Sequence, residues 1–96
     1  MNLLLKCEGF EKCLIKIHEI FGGIQYIFRF ENDYGASVIK HGGSYGRELD
    51  LWELAVIKFD NNDEWHLNYD TEITDDVIGS LTDDEVRDLL TQIKEL

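Results

Sequence analysis

A run of alternating side chains at residues 24–31 constrains the fold more than any other feature. The run IQYIFRFE places bulky apolar side chains at every second position, a period that matches an extended strand and not a helix. Residues 32–35 are typical of a tight turn, and residues 36–40 continue as a second strand. The sequence therefore predicts an antiparallel hairpin.

Two more strands are expected after this hairpin. Residues 51–59, LWELAVIKF, are almost continuously apolar, which favours a central strand that is partly buried on both faces. A turn rich in Asp and Asn follows, and residues 65–69 then place Trp65, Leu67 and Tyr69 on one face of a strand. The prediction is a four-stranded antiparallel sheet made of residues 24–31, 36–40, 51–59 and 65–69.

An amphipathic helix is predicted over residues 3–21, before the first strand. Apolar side chains recur there at alternating spacings of four and three, which places them on one helical face. Gly22 and Gly23 follow, and glycine readily adopts the left-handed conformation that ends a helix. The apolar face consists of Leu3, Cys7, Phe10, Leu14, Ile17 and Phe21.

The C-terminal segment predicts two helices. Thr74 and Thr82 each precede a pair of aspartates, a pattern typical of helix N-caps, and Glu85 completes a capping box with Thr82. Gly79 separates a short first helix from a longer second one. The elements together predict a single α+β domain over residues 1–96, with the N-terminal helix and both C-terminal helices packed on one face of the sheet.

Negative charge is concentrated in the last part of the chain. The net charge is −11, and residues 60–96 contain twelve acidic residues against only two basic ones, Arg87 and Lys94. Such a field repels nucleic acids and anionic membranes and attracts basic protein surfaces. We therefore expect no direct binding to nucleic acid or membrane, and a partner protein with a basic surface.

The acidic residues of the C-terminal segment have two interpretations. They cap helices and keep a solvated face, or they imitate the phosphates of a nucleic acid and contact a protein that handles nucleic acids. The second interpretation makes them a partner-binding face, which consists of Asp75, Asp76, Asp83, Asp84, Glu85 and Asp88.

Residues 42–46, GGSYG, match the G-x-S-x-G pattern of hydrolases, with Ser44 in the nucleophile position. That pattern requires a strand, a sharp turn and a following helix in a parallel sheet, whereas residues 51–59 predict a strand. We interpret residues 41–50 as a glycine-rich connection between strands, with no catalytic residue. If the connection has a role, Tyr45 and Arg47 are the side chains expected to contact a partner.

The sequence predicts neither a metal site nor a cofactor. Residues 60–72 resemble a calcium-binding loop only weakly, because Trp65 and Thr71 stand where that loop requires Gly and Glu. The three histidines lie in different predicted elements without ligand-like spacing. Cys7 and Cys13 point in different directions on the predicted helix, so we expect two reduced thiols.

Four segments of the chain resemble a family of short, uncharacterised proteins encoded by bacteriophages and prophages. The family signature is Y-x-F-x-F-x-N-x-Y-G-A-S-V, followed by S-Y-G, W-E-L-A-V and I-T-D-D-V-x-G-x-L. The resemblance carries no activity, but it implies a cytoplasmic protein made in an infected or lysogenic bacterium and favours a binding protein over an enzyme. The matching segments are residues 26–38, 44–46, 52–56 and 73–81.

The function predicted from these observations is binding to a host or phage protein, including inhibition of a host defence or nucleic-acid-handling protein by acidic mimicry. One alternative is a structural protein that forms a homodimer through the predicted N-terminal helix. A less favoured alternative is a small serine hydrolase that uses Ser44.

Overall fold

The computed structural model of the chain describes residues 9–20, 22–40, 51–74 and 76–96. Within these residues there are six strands, one turn of 3-10 helix and one α-helix. Among the described residues, no helix is long and apolar enough to cross a membrane. In chain order the elements are the 3-10 turn (Glu11–Cys13), β1 (Leu14–Ile20), β2 (Gly23–Arg29), β3 (Tyr34–Lys40), β4 (Trp52–Phe59), β5 (Trp65–Leu67), β6 (Ile78–Leu81) and α1 (Asp83–Lys94).

All strand pairings are antiparallel, and the order of strands in the sheet follows the chain, β1-β2-β3-β4-β5. The sixth strand, β6, also pairs with β4. Two strands therefore share the outer edge of β4, with β5 beside residues 57–59 and β6 beside residues 52–54. Because strands that are neighbours in sequence are neighbours in space, most of the sheet consists of successive hairpins.

The main core lies between α1 and one face of the sheet. Val86, Leu90 and Ile93 of α1 are at most 1% exposed, and they belong to the same buried cluster as large side chains of the sheet. Burial of this apolar stripe holds α1 on the sheet. The sheet contributes Tyr26, Phe28, Ala36, Val38, Trp52, Leu54 and Val56 to the cluster.

Several local predictions match the structure. The four predicted strands correspond to β2, β3, β4 and β5, and their ends differ by no more than two residues. The predicted capping box of the last helix is confirmed. Thr82 Oγ1 accepts the backbone N–H of Glu85 at 3.2 Å, and Glu85 Oε1 accepts the backbone N–H of Thr82 at 3.0 Å.

The predicted N-terminal helix is wrong. Residues 14–20 form β1, which pairs along its length with β2. The pairing includes Ile20 with Gly23, so Gly22, at φ 73°, lies in a hairpin turn and does not end a helix. The spacing of three and four was misleading here, because β2 offers an edge to which a segment rich in isoleucine pairs more favourably. Residues 1–8 and Phe21, which complete the predicted helix, lie outside the described residues.

The first of the two predicted C-terminal helices is also wrong. Residues 78–81 form β6, which lies along the part of β4 that β5 leaves uncovered. Upstream of β6, the Thr74 hydroxyl accepts the backbone N–H of Asp76 at 3.1 Å, so Thr74 stabilises a local turn in place of a helix. The predicted architecture of four strands with three helices is thus replaced by a six-stranded sheet and one α-helix within the described residues.

Candidate binding groove

A cavity of about 430 Å³ lies on the face of the sheet opposite α1. Its lining includes both edge strands, β1 and β5, although three strands separate them. In a flat sheet, strands about 4.8 Å apart would place these two edges roughly 19 Å from each other. The sheet therefore curls toward this face. We call the cavity the β1–β5 groove; it is lined by Ile15, Lys16, Ile27, Phe59, Asp63, Glu64, Trp65 and His66.

The floor of the β1–β5 groove is apolar. Ile27 and Phe59 are 1% and 4% exposed, and they form a small buried cluster with Ile57. This cluster is separate from the main core, because successive side chains along a strand point to opposite faces of the sheet. The sheet therefore has apolar side chains on both faces, and α1 covers only one of them.

Arg29 fixes the turn between β4 and β5 against this floor. Its guanidinium carbon lies 4.5 Å from the centre of the Phe59 ring. The same guanidinium donates two hydrogen bonds of 2.9 Å, one to Asp33 and one to Asp63. The two carboxylates, with Asp33 as the larger contribution, raise the pKa of Arg29. A stacked and doubly paired arginine gives this side of the groove a defined shape.

Exposed apolar side chains continue from the floor to the rim. Ile15 of β1 is 52% exposed, and Trp65 and Leu67 of β5 are 36% and 53% exposed. Leu67 pairs with Ile57 and Trp65 with Phe59, and directly paired residues of antiparallel strands lie on the same face of a sheet. The exposed side chains of β5 therefore lie on the same face of the sheet as the buried groove floor.

Asp60 organises the backbone of the turn beside the groove. Its Oδ1 accepts the backbone N–H groups of Asn62 and Glu64 at 2.8 and 3.1 Å. Its Oδ2 lies 3.0 Å from Nε2 of His66. The hydrogen bond with His66, followed by the two backbone hydrogen bonds, lowers the pKa of Asp60 below its ordinary value of 3.8.

Three side chains of this turn and the adjacent strand β5 are of types that bind metal ions. Asp60, Glu64 and His66 place one potential ligand atom each within 4.8 Å of one another. All three side chains are exposed, and the carboxylate of Asp60 already accepts hydrogen bonds within the turn. These hydrogen bonds stabilise the turn, and they are sufficient to explain why the three side chains lie close together.

Two of the acidic residues predicted to contact a partner have structural roles. Asp83 Oδ1 accepts a 2.8 Å hydrogen bond from the indole N–H of Trp52, which joins α1 to β4. Glu85 belongs to the capping box, and the hydrogen bonds from the backbone and side chain of Thr82 lower its pKa. Both carboxylates serve the attachment and the start of α1.

Three further acidic residues of that predicted face lie within the described residues, and one of them forms an ion pair. Asp84 pairs with Arg87 at 3.0 Å, one helical turn away. Asp76 is exposed and accepts the backbone N–H of Val77. Asp88 is exposed and lines a second cavity, about 510 Å³, beside the C-terminal half of α1. Asp75 lies outside the described residues.

The other predicted site is the connection around residues 41–50. Ser44, Tyr45 and Arg47 lie outside the described residues, so their predicted roles stay predictions.

Sequence reasoning did not identify the groove. Trp65 and Leu67 were placed correctly on one face of a strand, but that face is opposite α1 and partly exposed. Ile15 was placed in a helix. The cavity depends on the curl of the sheet, which brings together segments about fifty residues apart, and no local pattern encodes that approach.

No family model, curated protein or solved structure matches this chain.

Proposed function

We propose that this protein acts by binding, without catalysis, and that the β1–β5 groove holds an extended segment of a partner protein. The observation that carries the proposal is the set of three exposed apolar side chains, Ile15, Trp65 and Leu67, beside the groove and its buried apolar floor. Apolar surface of this kind, bordered by charged groups, is typical of protein interaction sites. Tryptophan in particular is enriched among the residues that dominate binding energies.

Charge favours a basic partner. Asp63 and Glu64 line the groove, while Lys16 is its only formally positive lining residue among those described. The net charge of −11 also attracts a basic protein over a longer distance and speeds the encounter. The segment that suits the groove therefore combines apolar side chains, which contact the floor, with basic ones.

The other candidate surfaces have less support. The structural roles of Asp83 and Glu85 account for part of the predicted acidic face without a partner, so nucleic-acid mimicry by that face ranks second. The proposal of a homodimer through an N-terminal helix is no longer supported, because residues 14–20 of that predicted helix form β1. A hydrolase that uses Ser44 has the weakest support, because residues 52–59 form a strand of an antiparallel sheet and not the helix that the nucleophile elbow requires.

The resemblance to phage proteins extends the proposal to the biological partner. On this basis the partner is a host or phage protein encountered in the bacterial cytoplasm. A host protein that handles nucleic acids would present the required basic surface.

The proposal is tested with a synthetic nine-residue peptide of alternating valine and lysine, capped at both ends. We expect nuclear magnetic resonance shifts at Trp65, Ile15 and Ile27 on titration. Trp65→Ala should weaken binding about tenfold or more, since exposed aromatic anchors dominate such interfaces. Val77→Ala is the matched control, because Val77 is a similarly exposed apolar residue (42%) that does not line the groove.

A second peptide, with glutamate in place of every lysine, tests the role of charge. We expect it to bind more weakly than the lysine peptide by at least about tenfold at low salt, because the groove and the chain are acidic. Equal binding of both peptides would contradict the charge argument. Shifts confined to Asp84 and Asp88 would move the binding surface from the groove to α1.

A further inference from the structure

We infer that the partner segment binds as an added strand along the outer edge of β1, with alternate side chains in the β1–β5 groove. This inference rests on the proposed function and specifies how the segment is held. Such strand addition uses the backbone of the partner for affinity and its alternate side chains for specificity.

The outer edge of β1 has the properties that strand addition requires. Within the part of the chain that the structure describes, β1 pairs only with β2. Every second residue of an edge strand directs its backbone N–H and C=O groups away from the sheet. The irregularity in the pairing between β1 and β2 lies between Leu14 and Lys16, which leaves residues 16–20 in regular register. The chain also contains no proline, which is a common means of blocking a strand edge.

The size of the groove suits one extended segment. A sphere of about 430 Å³ is roughly 9 Å across, and one strand inserted between two edges requires about twice the 4.8 Å strand spacing. A strand that pairs with β1 near Ile15 and Lys16 would therefore lie beside the same cavity that Trp65 of β5 lines. The curl of the sheet places that strand against the apolar floor on one side and leaves its other face in solvent.

The two faces of an added strand would meet different surroundings. On the groove face its side chains approach Ile27 and Phe59, which favours apolar residues. On the other face its neighbours on β1 are Ile17 and Glu19, which pair with Tyr26 and Ile24 of the main-core face. Glu19 is exposed, so a basic residue beside it gains a cross-strand charge pair. Alternation of apolar and basic residues thus satisfies both faces.

The test uses the wild-type protein, the valine–lysine peptide and two N-methylated versions of it. One version carries a methyl group on every valine amide, and the other carries one on every lysine amide. Each version keeps the side chains but removes the N–H donors along one edge of the peptide. We expect at least one methylated peptide to bind the protein at least tenfold more weakly than the unmodified peptide does. We also expect alternate amides of residues 16–20 to exchange at least tenfold more slowly with the unmodified peptide bound.

The outcomes separate the mode of binding from the proposed function. If both methylated peptides bind like the unmodified one and the exchange of residues 16–20 does not change, strand addition is wrong, while shifts at Trp65 would still support the groove. If none of the three peptides shifts Trp65 or Ile15, the proposed function fails, and the strand-addition inference fails with it.

Discussion

The indole N–H of Trp52 donates a hydrogen bond of 2.8 Å to Oδ1 of Asp83. Trp52 is 1% exposed, so its N–H has been removed from water and depends on this carboxylate. We predict that Asp83→Ala lowers the free energy of unfolding by about 1–3 kcal/mol, the range for a buried donor left without an acceptor. Urea denaturation followed by tryptophan fluorescence measures the change.

Asp84 provides the matched control for that substitution. It is the next residue of the same helical turn, but its carboxylate is exposed, and its partner within the described residues is Arg87. Asp84→Ala should change the unfolding free energy by less than about 1 kcal/mol, as expected for an exposed ion pair. Equal effects of the two substitutions would show that the aspartates act only through their charge at the start of α1.

The sequence pattern located β3 correctly but assigned its first two residues, Tyr34 and Gly35, to the preceding turn. Gly35 was assigned to a turn over residues 32–35, whereas it is a paired residue of β3. A methyl group at this position would overlap the carbonyl oxygen of Phe28 and come within 3.1 Å of the Phe59 ring. The glycine is therefore required by the close approach of neighbouring atoms and not by turn geometry.

We predict that Gly35→Ala lowers the unfolding free energy by at least about 3 kcal/mol, since a methyl group with no space forces the backbone of β2 to move. Gly9→Ala is the control, because a methyl group there meets no atom within 4 Å and only the positive φ of 89° opposes it. Gly9→Ala should lower the unfolding free energy by about 1–2 kcal/mol. Thermal unfolding compares the two variants, and a smaller loss for Gly35→Ala would contradict the prediction.

The hydrogen bonds of Asp60 predict a specific effect of pH. Because its folded-state pKa is lowered, the carboxylate stabilises the fold above its ordinary value of 3.8, and this contribution is lost as pH falls through the lowered value. His66→Ala removes the largest cause of the shift. The pKa of Asp60 should then rise toward 3.8 without reaching it, because the N–H groups of Asn62 and Glu64 still donate.

The titration of the Asp60 carboxyl carbon by nuclear magnetic resonance measures this shift directly. His18→Ala is the control, because His18 lies on β1, whereas His66 lies on β5 and contacts Asp60. A pKa of Asp60 that is the same in the wild type and in His66→Ala would show that the histidine does not contribute.

Features that depend on neighbouring residues in the chain were predicted correctly from the sequence, whereas features that depend on distant residues were not. The alternation at residues 24–31 and the capping box of Thr82 and Glu85 each act within a few residues, and both predictions match the structure. Residues 14–20 satisfied a helical spacing as well as a strand pattern, and only the presence of β2 beside them decides between the two. Tertiary pairing overrides local preference in such ambiguous segments.

The candidate site was less predictable than the fold. The acidic residues were chosen by charge, but charge does not reveal whether a carboxylate faces a partner or a neighbour such as Trp52. The groove depends on Ile15 and Trp65, which approach each other only because the sheet curls. Twist and curl are properties of the assembled sheet, and side-chain periodicity does not report them.

The side chain of Asn32, which lies between β2 and β3, caps the C-terminal end of α1. Its Nδ2 donates to the carbonyl oxygens of Ile93, Lys94 and Leu96 at 3.0, 3.3 and 3.1 Å. Its Oδ1 accepts the backbone N–H of Tyr34 at 3.0 Å. The side chain thus satisfies carbonyl groups that a helix end leaves without intrahelical donors.

We predict that Asn32→Ala lowers the unfolding free energy by about 1–3 kcal/mol, and that Asn32→Asp lowers it further at pH 7. The aspartate has the same shape but replaces the donor with a negative charge facing three carbonyl oxygens at the negative end of the helix dipole. This arrangement raises the pKa of the introduced carboxylate in the folded state. The added loss should therefore be present at neutral pH and disappear as pH falls below the raised value, where the neutral acid again donates to a carbonyl.

Urea denaturation of both variants at pH 7 and pH 4 tests this prediction. At each pH the unfolding free energy of Asn32→Asp is compared with that of Asn32→Ala, because the titration of the other groups is the same in both variants and cancels in the difference. A difference that does not depend on pH would contradict the assignment of Asn32 as the donor that caps α1.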